Sequence, residues 1–149
     1  MTDRIVVEFE VRTPVEHAFE MWTERCALWW PRSHSMSQSD GFEVVFEPFA
    51  GGRIHERGAD GSEHEWGEVI VWEPPRRLEY WWHIFLDRDR ATRVTVTFTP
   101  TDDGTTAVRL VNSGFEVFGD AAPDRIERVG GAWHGITQHY RDTLAAESS

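Results

Sequence analysis

Lysine is absent: all fifteen basic residues among the 149 are arginine. With no side-chain amine, Schiff-base chemistry on a side chain of this sequence is excluded. Cysteine is reduced to Cys26, which cannot close a disulfide within the chain, so nothing points to an oxidising compartment. Beside the apolar Ala27 and Leu28, Cys26 reads as a small buried hydrophobe rather than a nucleophile. No apolar run comes near the roughly 18 residues of a membrane span. The opening MTDRIVVEFEVRTP alternates apolar and charged residues where a signal peptide carries an apolar block. A soluble, cytoplasmic protein is the expectation. There is no GxSxG elbow, P-loop or dinucleotide-binding glycine fingerprint, and Gly51-Gly52 reads as a turn at a strand end.

Positive charge is also in short supply. Twenty-six acidic residues against fifteen basic ones leave a net charge of −11. Such a field repels phosphate backbones and anionic lipid, so no nucleic-acid and no membrane partner is expected.

Bulky apolar material is plentiful. Eight Trp and nine Phe in a chain that is 40% hydrophobic provide a core for one domain, residues 1–149, and exclude general disorder. Residues 5–12 alternate Val7, Phe9 and Val11 with Glu8, Glu10 and Arg12, a half-buried strand. Thr13, Pro14 and Glu16 form a capping-box pattern, and Val15, Phe19 and Trp22 at helical spacing predict a helix to about residue 24. A second short turn is expected at 27–30 and a polar loop at 32–41. Period-two segments then predict strands at 42–46, 53–58, 62–72, 77–86, 92–101 and 105–112, with turns at Asp60-Gly61, Pro74-Pro75, 87–90 and Asp103-Gly104. From Pro123, Ile126, Val129, Trp133, Ile136, Tyr140 and Leu144 make one helical stripe, interrupted by Gly130-Gly131. Strand, short helices, antiparallel strands and a long helix describe an α+β fold. In it, a curved antiparallel sheet of six or seven strands wraps the C-terminal helix. The paired glycines would thin the helix where a cavity would lie.

The run Gly51 to Trp82, GGRIHERGADGSEHEWGEVIVWEPPRRLEYWW, resembles the signature of Hsp90-ATPase-activator-like domains. These belong to the Bet v 1/START-like helix-grip superfamily, also called SRPBCC. The resemblance is carried by Gly51-Gly52-Arg53, Trp66-Gly67, Pro74-Pro75 before Arg77-Leu78, and Trp82. It extends through Ala27 to Trp30, VTVTFTP (94–100), Asn112 to Phe115 and the helix with Trp133. It implies the helix-grip fold and an apolar small molecule held between sheet and helix. The family's namesake, a chaperone-ATPase activator, implies a chaperone partner as the alternative. Cyclase- or hydrolase-like chemistry in the wider superfamily is a third reading.

Strand alternation and the helix stripe converge Phe46, Trp82, Phe98 and Trp133 on that cavity. Trp30, Trp66 and Phe115 would close its ends, and Asn112 would supply an orienting amide. The same aromatics could equally fill a solid core, and a bulge would flip the face of Trp66. No catalytic residue and no cofactor is assigned. His83, His64, Glu65 and Asn112 are the polar groups from which acid–base chemistry would draw. A two-residue turn at Asp60-Gly61 would set His55 and His64 on one face. Two ligands fall short of a zinc site, and His134 and His139, five apart on a helix, do not share one, so no metal is expected. Glu63, Glu65 and Glu68 are either a solvated strand face or an acidic docking stretch.

Overall fold

A computed structural model describes residues 3–101 and 104–148. Strand β1 (Ile5–Val11) buries Ile5, Val7 and Val11 and exposes Val6, Glu8 and Glu10, as the alternation predicts. Helix α1 (Val15–Trp22) starts later than the capping box predicts. Pro14 is its N-cap, with extended ψ and no side-chain cap bond. Thr13 is instead drawn against the sheet, where its carbonyl accepts the Thr106 hydroxyl at 2.8 Å. Short 3-10 turns at Cys26–Leu28 and Arg32–His34 lead to β2 (Glu43–Phe46), β3 (Arg53–Arg57), β4 (Glu63–Glu73), β5 (Arg77–Trp82), β6 (Thr92–Pro100) and β7 (Thr106–Ser113). A 3-10 segment, Phe115–Ala121, runs into the long helix α2 (Ala122–Ser148). In the turn expected at Asp103-Gly104, Asp103 lies outside the described residues, and Gly104 has φ +77°.

The strands form one seven-stranded antiparallel sheet in the order β1-β7-β6-β5-β4-β3-β2. Both helices lie on its concave face: Phe19 and Trp22 of α1 meet Phe98 of β6, and Tyr140 of α2 meets Phe9 of β1 and Trp22. The Tyr140 hydroxyl donates to the Ala18 carbonyl at 2.7 Å, tying the two helices together. The α+β helix-grip architecture is the one that the sequence predicts.

Register is where the hairpin departs from expectation. Residues 58–62 connect β3 to β4, with the Gly58 N–H donating to the Ser62 carbonyl at 2.8 Å. Arg57 therefore opposes Glu63, Glu56 opposes His64 and His55 opposes Glu65. This pairing is one residue away from that of a two-residue turn, and a one-residue slip exchanges faces. His55 and His64 thus lie on opposite faces and cannot share a ligand. Among the described residues no group of three or more His, Cys, Asp or Glu is placed to hold a metal ion.

A bulge at Ile54/His55 makes Trp66 the extra residue and restores the opposite phase, with Ile54 facing Gly67. Trp66 ends fully buried on the inner face. Gly67 is required by contact, since a Cβ there would lie 1.9 Å from the Trp81 carbonyl oxygen. The glycines of α2 have no such role. A Cβ on Gly131 or Gly135 would meet nothing, and one on Gly130 would lie 3.7 Å from Ile5, an ordinary contact, so none of the three is required by close approach.

On the convex face, Glu79 is nearly inaccessible and lies between Arg77 (Nε at 2.7 Å) and Arg93 (Nε at 2.9 Å). Burial raises its pKa, but the hydrogen bonds and charges of Arg77 and Arg93 outweigh it, so the carboxyl sits below the ordinary carboxylate range. A carboxylate with a depressed folded-state pKa adds stability that is complete above the unfolded value of about 4.3 and is lost as pH falls through the lower folded value. Glu79→Gln should therefore melt below the wild type at pH 7, and the gap should narrow as the pH is lowered through 4 toward 2. A gap that stays constant across that titration would show that the carboxylate charge contributes nothing.

Candidate ligand-binding site

All eight residues expected to line the cavity are buried. The structure brings the tryptophans together as a packed cluster. Ring centroids of Trp30 lie 4.7 Å from Trp66, 5.7 Å from Trp82 and 6.2 Å from Trp133, and Trp82 lies 5.7 Å from Trp133. Phe98 meets Phe19 at 5.4 Å and Phe46 meets Tyr80 at 5.9 Å. Asn112 serves this cluster. Its amide donates to Thr92 Oγ1 (2.9 Å) and the Arg93 carbonyl (3.0 Å), while its oxygen accepts the Trp133 indole N–H at 3.1 Å. That places Asn112 as a clamp between α2 and β6. Mid-length, the interior between α2 and the sheet is filled by these rings.

Open space begins at one end, beyond Trp82 and Phe115. A cavity of about 40 Å³ is lined by Trp82, His83, Ile84, Leu86, Thr92, Phe115, Phe118, Arg125 and Val129. Its walls come from the end of β5, the start of β6, the 3-10 segment before α2 and the first turns of α2. Sequence alternation extends β5 to residue 86, but the strand stops at Trp82. The His83 N–H still donates to the Trp66 carbonyl (2.8 Å), and the Leu86 N–H then closes back on the His83 carbonyl at 2.7 Å. The loop that results carries Phe85, 54% exposed, at φ +66°, a left-handed conformation that costs a bulky residue about 1–3 kcal/mol. The facing 3-10 segment is preceded by Gly114 (φ +90°) and kinked at Gly119 (φ +56°, ψ −129°), the latter a conformation essentially reserved for glycine. Exposed Val117 lies on this segment as Phe85 does on the other. The loop after β5 and this 3-10 segment, each with an outward apolar residue, flank the cavity.

Its polar groups are unusual. Three buried side-chain polar atoms lack a hydrogen-bond partner among the described residues: His55 Nδ1, His83 Nδ1 and Arg125 Nε. The residues of the last two line this one cavity. His83 is 5% exposed, and its Nε2 lies 3.0 Å from Glu65. Glu65 is held below the ordinary carboxylate range, chiefly by the hydrogen bond from Arg88 and further by the charges of Arg88, His83 and Arg53, against the opposing effect of burial. A carboxylate only accepts, so Nε2 carries a proton, while Nδ1 is left without a partner. The Arg125 guanidinium carbon stands 4.8 Å over the Phe118 ring. Beyond His83, on the convex side of the loop, a second space of about 250 Å³ is lined by Glu68, Trp81, His83, Arg88 and Ala91. His83 thus stands in a wall between two spaces.

Glu63 pairs with Arg53 and Arg57, and Glu65 with Arg53 and Arg88. Glu68 lines the convex space, so the stretch does not present a row of unpaired acids. Cys26 is fully buried, and burial pushes its thiol well above its usual pKa, which leaves it unreactive. Glu56, on the same side of β3 as Ile54, is the buried carboxylate of the inner face. It accepts the N–H groups of Met36 (2.6 Å) and Ser37 (2.8 Å), the Ser37 hydroxyl and the Trp66 indole (3.2 Å). Its acceptor capacity is spent on structure.

The model for activator of Hsp90 ATPase homolog 1-like proteins matches residues 12–148. The chain belongs to that family. No curated protein matches this Hsp90-activator-like chain. Among solved structures it is 37% identical to an anthrahydroquino-γ-pyrone synthase, Txn09, solved in a complex, over 83% of this chain and 84% of that one, with a TM-score of 0.60. It shares its fold with protein MLL2253 from Mesorhizobium loti (23% identity, 98% of each chain, TM-score 0.70). It does so too with the Aha1 dimer from Colwellia psychrerythraea (14% identity, 97% of this chain and 96% of that one, TM-score 0.67). No helix among the described residues is long and apolar enough to cross a membrane.

Proposed function

We propose that this Hsp90-activator-like domain binds an aromatic, polyketide-type small molecule between α2 and the sheet. The ligand enters at the cavity bounded by Trp82, Phe115, Phe118 and Val129. The observation that carries the reading is the pair of buried, partnerless polar atoms, His83 Nδ1 and Arg125 Nε, on residues that wall one otherwise apolar cavity. Small-molecule sites combine apolar walls with a few placed polar groups in this way. The 37% identity to a synthase of an aromatic pyrone supports the ligand class.

At about 40 Å³ the closed cavity is well short of the roughly 300 Å³ that a ligand of several rings occupies. Binding therefore displaces the flanking loop, residues 84–91, and the 3-10 segment, while the tryptophan cluster behind them stays packed as a floor. The test is calorimetry with thermal melting on 2-hydroxyanthraquinone, flavone and decanoate. The ring compounds should saturate one site, whereas decanoate should not. At 100 times Kd, a bound ligand adds about 2.7 kcal/mol, or roughly 5–10 °C for a chain of this size. Val129→Trp, whose indole would occupy the mouth, should abolish the shift. A shift that survives in that variant places the ligand elsewhere, and no shift with any ring compound refutes the reading.

A second reading, turnover of the bound molecule, is favoured by the Glu65–His83 pair, whose ring has its other nitrogen, Nδ1, buried and without a partner. In a pyranone-type ring closure, a phenolic O–H would give its proton to Nδ1. The oxygen would add to the β-carbon of an enone to form the C–O bond, and the α-carbon would take the proton back. 2′-Hydroxychalcone, which closes to flavanone by this route, is the probe. Conversion no faster than in buffer removes this reading and leaves binding intact.

A further inference from the structure

We infer that Thr92 anchors the ligand by donating its hydroxyl proton to a ring carbonyl, with Asn112 and Trp133 as positioning residues that leave that proton for the cavity. The inference rests on the binding reading and adds the polar group that the ligand must present, which makes it an aromatic ketone.

The polarity follows from the partners of Asn112. The Trp133 indole is a donor only, so the Asn112 atom that meets it at 3.1 Å is the oxygen. Opposite the hydrogens of the amide nitrogen stand the Arg93 carbonyl at 3.0 Å and Thr92 Oγ1 at 2.9 Å. A flipped amide would set nitrogen against the indole N–H and oxygen against the Arg93 carbonyl, which excludes that orientation. Thr92 Oγ1 therefore accepts from Asn112, and its own hydrogen points elsewhere. No group among the described residues accepts it. Thr92 is 5% exposed and lines the cavity beyond Trp82 and Phe115. Thr92, Asn112 and Trp133 belong to β6, β7 and α2, and Thr92 is paired with Trp82 of β5. These are the elements that stay in place when the flanking loop and the 3-10 segment move. The unpartnered group of α2, Arg125 Nε, is a donor as well, since arginine has no acceptor. Whichever proton state His83 takes, Thr92 and Arg125 present hydrogens. A ketone oxygen can meet them, whereas a hydrocarbon leaves both desolvated and unpaired. A buried donor left unpaired by the wrong ligand makes such a site selective.

The experiment uses 9-fluorenone and fluorene, planar tricycles of nearly the same shape that differ in one carbonyl and do not ionise near pH 7. Equilibrium dialysis gives the ratio of their Kd values, in which the shared apolar burial cancels. Thr92→Val, which keeps the shape and removes the hydroxyl, should move that ratio about 3- to 10-fold toward fluorene. Thr92→Ser should hold it near that of the intact chain. A loss of packing alone would weaken both compounds and leave the ratio unchanged. The carbonyl stretching band of bound fluorenone should lie below its position in hexane for the intact chain and Thr92→Ser, and should rise for Thr92→Val. Where the valine variant does not fold, the intact chain decides, since a band at the hexane position overturns the inference. An unchanged ratio in folded Thr92→Val overturns it too, while the binding reading stands. Failure of fluorenone to bind a chain that binds 2-hydroxyanthraquinone overturns the inference alone. Failure of all three compounds to bind overturns both.

Discussion

Replacing Glu56 by alanine should cost about 3–5 kcal/mol, the range for removing one partner of a buried charged network. The carboxylate is fully buried and holds the two consecutive amides of Met36 and Ser37, the Ser37 hydroxyl and the Trp66 indole N–H. Alanine leaves those donors facing a void that water must enter or the loop must abandon. Domains of this kind hold about 5–15 kcal/mol in total, so the variant should unfold at markedly lower urea and lose protection of the 35–39 loop from protease. Glu56→Gln, which keeps one acceptor oxygen, should fall between the two. A loss below about 1 kcal/mol for the alanine variant would mean that the loop amides are satisfied by solvent and that Glu56 anchors nothing.

Trp133→Ala should be comparably severe. Trp133 touches the rings of Trp22, Trp30 and Trp82 and donates to Asn112. Large-to-small changes of this kind cost about 3–5 kcal/mol, and here the Asn112 oxygen also loses its donor. Because the surrounding rings cannot all collapse inward, a hole with an acceptor on its wall should remain, shaped for indole. Added indole should raise the melting temperature of Trp133→Ala and leave that of the wild type unchanged. If the alanine variant does not fold, Trp133→Phe, which keeps one ring but neither the N–H nor the full indole volume, should show the loss of the Asn112 bond with a smaller cavity. Absence of indole rescue in a folded alanine variant would show that the cluster repacks and is softer than its ring contacts indicate.

Periodicity carried the architecture. Alternation in 92–101 and 105–112 places Val94, Val96 and Phe98 opposite Asn112, Leu110 and Val108 on one face, as their pairing has it. The stripe of α2 buries Trp133, Ile136, Tyr140 and Leu144. Single-residue phase errors hid the rest. The 58–62 connection is longer than its Asp60-Gly61 signal, which separates His55 from His64, and the bulge at Trp66 then reverses the phase again. Neither event leaves a mark in a pattern of period two. The aromatic residues of the interior were legible as a set, but ring-against-ring packing depends on side-chain angles that no spacing encodes. Hydrophobicity continues past Trp82 into Ile84, Phe85 and Leu86, so the strand looks longer than it is and His83 reads as a rim residue. Arg125 sits among charged residues at the start of α2 and reads as solvated. Only tertiary closure shows that its Nε is buried opposite an apolar wall.

The contact chain of Trp22, Trp29, Trp30, Trp66, Trp82 and Trp133, with neighbouring centroids 4.7–6.4 Å apart, makes six of the eight indoles one optical unit. Excitation absorbed by any of them migrates among the others faster than it is emitted, so the emission is depolarised and belongs to the cluster. A quencher that reaches Trp82 at the mouth drains light absorbed as far away as Trp29, and replacing one tryptophan redistributes the spectrum without subtracting a single component.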